Sequence, residues 1–338
     1  MRFFQLTGDG LDTLRMAEGP SPRPGPGQVR VRMRAASLNY RDLLVAAGRE
    51  ARGMRKRPLV PLSDGAGEVV EIGPGVTRLA PGDRVVGCFF QGWADGPYQP
   101  EMGASALGGA IDGVLSEEVL FSEAGAARLP EGFSFEEGAT LPCAGVTAWV
   151  GLVEKGGLRA GETVLAMGTG GVSVFALQIA KLLGARVILT SSHDDKLERG
   201  RALGADATIN YRATPAWDEA ARAFTGGRGV DHILEVGGAR TLPLALRALR
   251  QGGHLSIVGL LSGERADPEA AAGNDRQIRV DSVYVGSTGH LAALSAAMAR
   301  AGVRPVVDRV FAFEEVRRAY ETMERGEHFG KIVVQVSP

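Results

Sequence analysis

Six residues, Gly168-Thr169-Gly170-Gly171-Val172-Ser173, stand between an apolar run at 163–167 and a long apolar helical pattern at 172–184. That placement limits the fold more than anything else in the chain. A glycine loop joining a buried strand to a buried helix turns backbone N–H groups and the positive helix end toward one point, where a diphosphate can sit. Gly168 permits the tight turn and Gly170 the close approach of phosphates, while Ser173 puts another small side chain where a final glycine or alanine usually stands. With 48 glycines in 338 residues, a glycine motif arises easily by chance, so its weight comes from the strand before it and the helix after it. A tight turn without a ligand is the competing reading.

The alternation continues beyond the loop. Strands are expected at 186–190, 207–209, 231–236 and 254–259, with helices at 195–203, 215–224 and 241–249 between them. This is the spacing of a doubly wound α/β nucleotide-binding unit. Further on, a strand at 282–285, helices at 291–301 and 313–324, and a last strand at 331–336 follow, the last expected to return to the first half of the chain. Residues 1–150 differ in character: short extended pieces at 28–35, 67–72 and 84–90 are punctuated by glycine and proline turns. The glycine-rich stretch 91–113, with Trp93 and Tyr98, lacks periodicity and reads as a long loop, either covering a pocket or packing on itself.

The second strand of the nucleotide-binding unit carries the specificity code. An NAD site usually places an acidic residue at its end, to accept from the adenosine ribose. Here the strand ends Thr190-Ser191-Ser192, whose hydroxyls can donate to a ribose phosphate, and Lys196 follows closely with positive charge. The pattern favours NADP(H), although Asp194 and Asp195 oppose it unless they serve the helix start. Tyr211 ends the third strand, where a ring can lie by the adenine or simply pack. Val236 and the pair Val258-Gly259 end the fourth and fifth strands, near the expected exit of the nicotinamide; ordinary strand termination explains them equally well.

Charge excludes other classes. With 38 basic against 39 acidic residues and no long basic run, nothing draws a nucleic-acid backbone. Cys88 and Cys143 are too few for a disulfide framework or a four-cysteine zinc lobe within one chain. No signal peptide or spanning segment is legible, so a cytoplasmic protein without membrane contact is expected. The five histidines show no metal-ligand spacing, and no G-x-S-x-G elbow is present.

Taken in order, Asn39-Tyr40-Arg41-Asp42, Gly65-Ala66-Gly67-Glu68, Leu141 to Trp149 and the loop at 168–173 resemble the medium-chain dehydrogenase/reductase family, in particular its zinc-independent quinone oxidoreductase and zinc-type alcohol-dehydrogenase-like branch. The resemblance runs over roughly residues 1–336. It implies an α/β chain with a GroES-like β-rich catalytic domain, split in sequence, around a doubly wound Rossmann NADP(H)-binding domain. The expected boundaries are 1–128 for the first part, 129–272 for the Rossmann domain and 273–338 for the C-terminal part. A homodimer is also expected.

In zinc-using members the metal is held by cysteine, histidine and cysteine at the positions of Asn39, Ser63 and Cys143, and Asp64 matches a nearby family glutamate. Only Cys143 keeps a ligand's identity, so the resemblance implies no metal site. It implies pocket roles for Asn39, Asp42 and Thr147, and sets Phe329-Gly330-Lys331 near the cofactor, where Lys331 either adds positive charge at the phosphate end or simply introduces the final strand. Tyr40 is either a donor to a developing oxyanion or an aromatic wall, and Cys143 a packing residue, since no histidine base is legible beside it. The chemistry then expected is hydride transfer from NADPH to a quinone, enone or enal, with the proton donor open. Two alternatives stand beside it: an NADP(H)-linked alcohol/aldehyde dehydrogenase without catalytic zinc, and a cofactor-binding sensor or scaffold with negligible turnover.

Overall fold

The computed structural model describes residues 1–49, 57–258 and 277–337, which form two compact units. One comprises Met1–Val146 with Val285–Pro338, the other Thr147–Tyr284. Both junctions fall later in the chain than the expected 128/129 and 272/273. The first does so because the helix Phe135–Ala139 packs on strands of the first unit.

In the first unit, β1 (Arg2–Leu6) and β2 (Leu14–Glu18) form an antiparallel hairpin beside a larger sheet. That sheet runs β14-β15-β3-β4-β5-β7, with β6 also on β3, using β3 (Gln28–Ser37), β4 (Asp64–Ile72), β5 (Arg84–Gly87), β6 (Glu118–Ser122), β7 (Ala126–Arg128), β14 (Val307–Ala312) and β15 (Lys331–Gln335). The period-2 pattern of β3 drives it: Val29, Val31, Met33 and Ala35 are fully buried, while Arg30, Arg32 and Arg34 point to the other face and are partly or fully exposed. One edge of β3 is shared, with β6 pairing Gln28–Arg32 and β15 pairing Ala35–Ser37. As expected, the last strand belongs to the β-rich unit. The core beneath gathers Leu6, Met33, Leu38, Phe121, Tyr320 and Val334.

The second unit holds a six-stranded parallel sheet in the order β10-β9-β8-β11-β12-β13. The strands are β8 (Thr163–Ala166), β9 (Arg186–Ser191), β10 (Ala207–Asn210), β11 (Val230–Glu235), β12 (Leu249–Ile257) and β13 (Arg279–Ser282). Numbered within the unit this is 3-2-1-4-5-6, the doubly wound order. Every residue of β8 and β11 is buried, so neither shows polar–apolar alternation, and β11 buries Asp231, His232 and Glu235 on polar partners. The helix Gly171–Leu182 packs on β8 and β9, and Asp194–Ala202 on β9 and β10.

Some expectations need correction. The strand expected at 282–285 lies earlier, at Arg279–Ser282, in parallel register with β12. Val283 still donates its N–H to Ile257 O of β12 at 2.9 Å, whereas Val285, with φ 53°, is buried after the chain has left the sheet and its apolar side chain reports burial rather than pairing. The strand expected at 254–259 starts at Leu249 and ends at Ile257, and the one at 84–90 stops at Gly87. The helix expected from 313 opens with a 3-10 turn at Phe313–Glu315 before becoming α-helical at Val316–Glu324. Reading residues 1–150 as extended missed the helix Tyr40–Ala46 and the helical run from Phe135 to Lys155, which includes two π-type stretches.

Candidate functional site

In the second unit the glycine loop leaves β8 at its carboxyl end, beside the point where strand order reverses. Gly168 has φ 80°, a left-handed conformation that favours glycine. Its N–H donates to Thr190 Oγ1 at 3.1 Å, tying the loop to the end of β9. Ser173 does more than stay small: its Oγ donates to Met167 O at 2.5 Å and pins the helix start to the strand before it. Gly170 caps the helix with φ −77° and ψ −178°, a backbone open to any residue. A Cβ built there meets no atom within 4 Å. Neither conformation nor packing requires glycine at 170, so the space kept open over the helix N-terminus fits a diphosphate. Thr169 is buried in the loop, with Gly171 and Val172 beginning the helix.

At the end of β9, Ser191 is buried, its Oγ accepting from His193 N at 3.3 Å, and Ser192 is half-buried with its Oγ 2.8 Å from His193 Nδ1. Asp194 accepts from Asn210 Nδ2 at 2.8 Å, which occupies one oxygen of the carboxylate that argued against NADP(H). Lys196 is largely covered, 7% exposed, within the helix Asp194–Ala202. Tyr211 is 40% exposed and donates its backbone N–H to Ser191 O at 3.1 Å. Val236 and Val258 are half-buried at their strand ends; Gly259 lies outside the described residues.

Sequence reasoning passed over Glu235. This fully buried carboxylate closes β11 and accepts from the N–H groups of Gly237 and Gly238 and from Thr241 Oγ1, fixing the loop at that strand end. Burial raises its pKa against those bonds. An acid directly after the apolar pair Ile233-Leu234, just before Gly237-Gly238, was the available signal.

In the first unit a polar cluster is buried where the helix Tyr40–Ala46 with its cap Asn39, the start of β4, β15 and the helical turn at Leu141–Gly145 supply one or two residues each. Asp42 Oδ2 accepts from Asn39 N at 2.7 Å and so starts the helix Tyr40–Ala46. This leaves the Asn39 side chain for other partners. Asn39 Nδ2 lies 3.4 Å from Ser63 Oγ, Ser63 Oγ donates to Asp64 Oδ1 at 2.7 Å, and Cys143 N donates to Asp64 Oδ2 at 3.0 Å. Lys331 completes the cluster. Only 2% exposed, its Nζ donates to Leu38 O and to Asn39 Oδ1. The ammonium expected beside a coenzyme phosphate is thus committed to the base of this network, because β15 enters the sheet directly against the end of β3.

Tyr40, by contrast, is 39% exposed, and Phe329 and Gly330 bring the chain into β15, with Phe329 buried and Gly330 at φ 87° against Val306 O. Thr147 is buried in the short helix Val146–Trp149 at the start of the second unit. Trp93 and Tyr98 stack edge-to-face at 5.1 Å as part of an aromatic cluster within the long loop.

Electrostatics sort the members of the cluster. Burial pushes Asp42 up to about 7 against the pull of Arg41 and the Asn39 N–H. Burial likewise raises Asp64, partly offset by Lys331 and Ser63, and lowers Lys331, partly offset by Asp64. The Cys143 thiol is pushed far up by burial and by Asp64, so at neutral pH it is no nucleophilic thiolate. As a zinc site the donors do not fit: beside one thiol stand an amide, a hydroxyl and a single carboxylate, and the Lys331 ammonium bonded to the amide already brings positive charge to the cluster. Among the described residues, no group of three or more His, Cys, Asp or Glu is placed to hold a metal ion.

One consequence of the Asp42 environment is measurable. The native state holds the Asp42 proton up to about pH 7, whereas an unfolded aspartate releases it near pH 4, so between these values rising pH lowers stability. Relative to Asp42→Asn, the wild type should therefore lose about 2–4 kcal/mol on going from pH 4 to pH 8. Parallel urea titrations of the two proteins check this; curves that keep a constant separation would show that Asp42 is ionised throughout.

At the opposite, amino end of the parallel strands, His232 and His254 face each other across the β11–β12 register. Their Nε2 atoms lie 3.0 Å from Glu162 and 3.1 Å from Asp281. Burial lowers both, His254 to about 4, leaving neutral rings in a structural ion-pair network.

Comparison with known proteins matches both units. Residues 25–131 fit the model of the alcohol dehydrogenase GroES-like domain and residues 171–323 that of the zinc-binding dehydrogenase. The zinc-type alcohol dehydrogenase-like protein C1773.06c of Schizosaccharomyces pombe is 40% identical over 309 residues, covering 90% of this chain and 89% of that one. Among solved structures, an NAD-dependent alcohol dehydrogenase is similar with a TM-score of 0.89 and 36% identity, covering 100% of both chains. The enoyl reductase CurK is similar with a TM-score of 0.84 and 25% identity, covering 99% of this chain and 98% of that one.

Proposed function

Since this chain belongs to the medium-chain dehydrogenase/reductase family, whose alcohol-dehydrogenase-like oxidoreductases bind a nicotinamide coenzyme and act on small molecules, we propose that it is an NADPH-dependent, zinc-independent reductase of quinones or α,β-unsaturated carbonyls. The observation that carries the proposal is the cluster around Lys331: where zinc-using relatives place metal ligands, this chain holds an ammonium hydrogen-bonded to an amide. A carbonyl acceptor must then be polarised by protein donors. A conjugated acceptor suits that supply, since its negative charge spreads over an enolate or quinol oxygen. The similarity to CurK, an enoyl reductase, points the same way.

The bound coenzyme supplies the hydride. The chain's own part begins with the open space at Gly170 and the N–H groups of the glycine loop, which hold the diphosphate. Ser191, Ser192 and Lys196 serve the ribose phosphate. Asn39 Nδ2 is the donor assigned to the acceptor's oxygen. Asp42, protonated below about pH 7, is a proton reserve next to it, with its Oδ1 buried and unpaired.

The likeness to an NAD-dependent alcohol dehydrogenase favours a second reading, oxidation or reduction at a simple alcohol or aldehyde. Protein dialysed against a chelator, then given NADPH or NADH with a panel of quinones, enones and simple aldehydes, separates the two. Expected is turnover of conjugated acceptors with NADPH, unchanged by added zinc. Turnover of simple aldehydes alone, or a large gain with zinc, overturns the proposal; coenzyme binding without any turnover would make the protein a sensor.

A further inference from the structure

We infer that Lys331 is a positioning residue that fixes the side-chain amide of Asn39 in one orientation and makes it a stronger hydrogen-bond donor. The carboxamide of an asparagine has two nearly equivalent ways to lie, and only its partners decide between them. Here the decision is chemical. An ammonium has three donors and no acceptor, so the atom of Asn39 that meets Lys331 Nζ is Oδ1. Nδ2 is thereby turned the other way, toward Ser63 Oγ at 3.4 Å. Ser63 accepts there because its own proton goes to Asp64 Oδ1 at 2.7 Å.

The bonds therefore run in one direction, from Lys331 through Asn39 and Ser63 to Asp64, which takes a second donation from Cys143 N. Asn39 Nδ2 carries two hydrogens, and Ser63 uses one. The Asp64 carboxylate is this amide's other partner, and Asn39 keeps 7% of its surface exposed while Lys331 keeps only 2%, so the amide rather than the ammonium is the group an acceptor reaches. The cation acts through the amide: a charge-assisted bond at Oδ1 draws electron density from the nitrogen and strengthens what Nδ2–H donates. Aliphatic replacement of Lys331 removes both the lock and the polarisation, and leaves Asn39 free to turn its oxygen, an acceptor, toward an incoming carbonyl.

The catalytic meaning of this assignment rests on the reductase reading; the orientation does not. The test uses the full-length protein. The side-chain NH2 pair of Asn39 is identified in the 15N–1H spectrum by its loss in Asn39→Asp, and its exchange with D2O is followed in wild type, Lys331→Met and Lys331→Gln. Expected is a slowly exchanging pair that exchanges about 10-fold faster or more in Lys331→Met, and an intermediate result in Lys331→Gln, whose amide keeps a neutral donor. Lys331→Gln also carries the test if the methionine variant does not fold. An unchanged pair overturns the inference.

With a turned-over acceptor from the panel, Lys331→Met and Asn39→Ala should each lower kcat by about 100-fold, and the double variant no further. The KM for NADPH should stay within about twofold. Additive losses would mean independent roles, and a large rise in KM for NADPH would mean that Lys331 serves a coenzyme phosphate; either overturns the assignment. A wild type that turns nothing over, yet shows the expected exchange behaviour, sinks the reductase reading and leaves the orientation of Asn39 standing.

Discussion

Gly170→Asp should weaken binding of NADPH and NADH by about 100-fold or more, roughly 3 kcal/mol, while leaving the protein at least as stable as before. The two effects part company for a physical reason. The residue occupies a helix N-cap in an extended conformation with no neighbour within 4 Å of a built Cβ, so an aspartate fits there and caps the helix well. The same carboxylate fills the space reserved for the diphosphate and repels it. Fluorescence titration with both coenzymes, set beside thermal unfolding, measures the pair of effects. Retained binding would remove the glycine loop from the phosphate site, and joint loss of binding and stability would mean that Gly170 is needed for folding.

Asp231→Ala should cost about 3 kcal/mol or more, because one buried carboxylate collects four donations. Arg228 binds it in two-pronged fashion at 2.8 and 2.8 Å, Arg250 Nε donates at 2.5 Å, and the backbone N–H of Thr163 at 2.8 Å. Removing it strands the Thr163 N–H at the start of β8, the strand whose other end carries the glycine loop. The effect has a pH signature. Burial alone would raise this carboxyl, but the two guanidiniums and the N–H outweigh it and hold it well below the usual carboxylate range. A depressed pKa gives stability that is present above about pH 4 and is lost as the pH falls toward the native value. The wild type should lose this margin in acid while Asp231→Ala, already without it, changes less; unfolding midpoints at pH 7 and pH 3 compare them. Equal midpoints for the two proteins at pH 7 would reduce the cluster to a solvated surface pair.

The second unit was legible because its signals are local. A wholly buried parallel strand is a continuous apolar run, a buried helix follows within a few residues, and the glycines between them sit in sequence as they sit in space. Even the small side chain at Ser173 was read correctly in size, though not its bond to Met167. The first unit hides more, since its cluster draws Asn39, Ser63, Cys143 and Lys331 from distant parts of the chain. Family resemblance brought the first three together. It gave Lys331 a different task, because a lysine opening a strand looks alike whether its ammonium faces solvent phosphate or turns inward. Only the register of β15 against β3 decides that, and register is a property of paired strands. Val285 misleads for the same reason, as an apolar side chain reports which side is dry, not which backbone is bonded.

The late position of β15 bears on how the chain is made. A ribosome emits β3 early and β15 only after the whole of Thr147–Tyr284 has emerged, so the second unit can mature while the other sheet still lacks an inner strand. Until then the Ala35–Ser37 stretch of β3 offers an unpaired, apolar edge to any passing strand, a hazard that nascent-chain chaperones would have to shield.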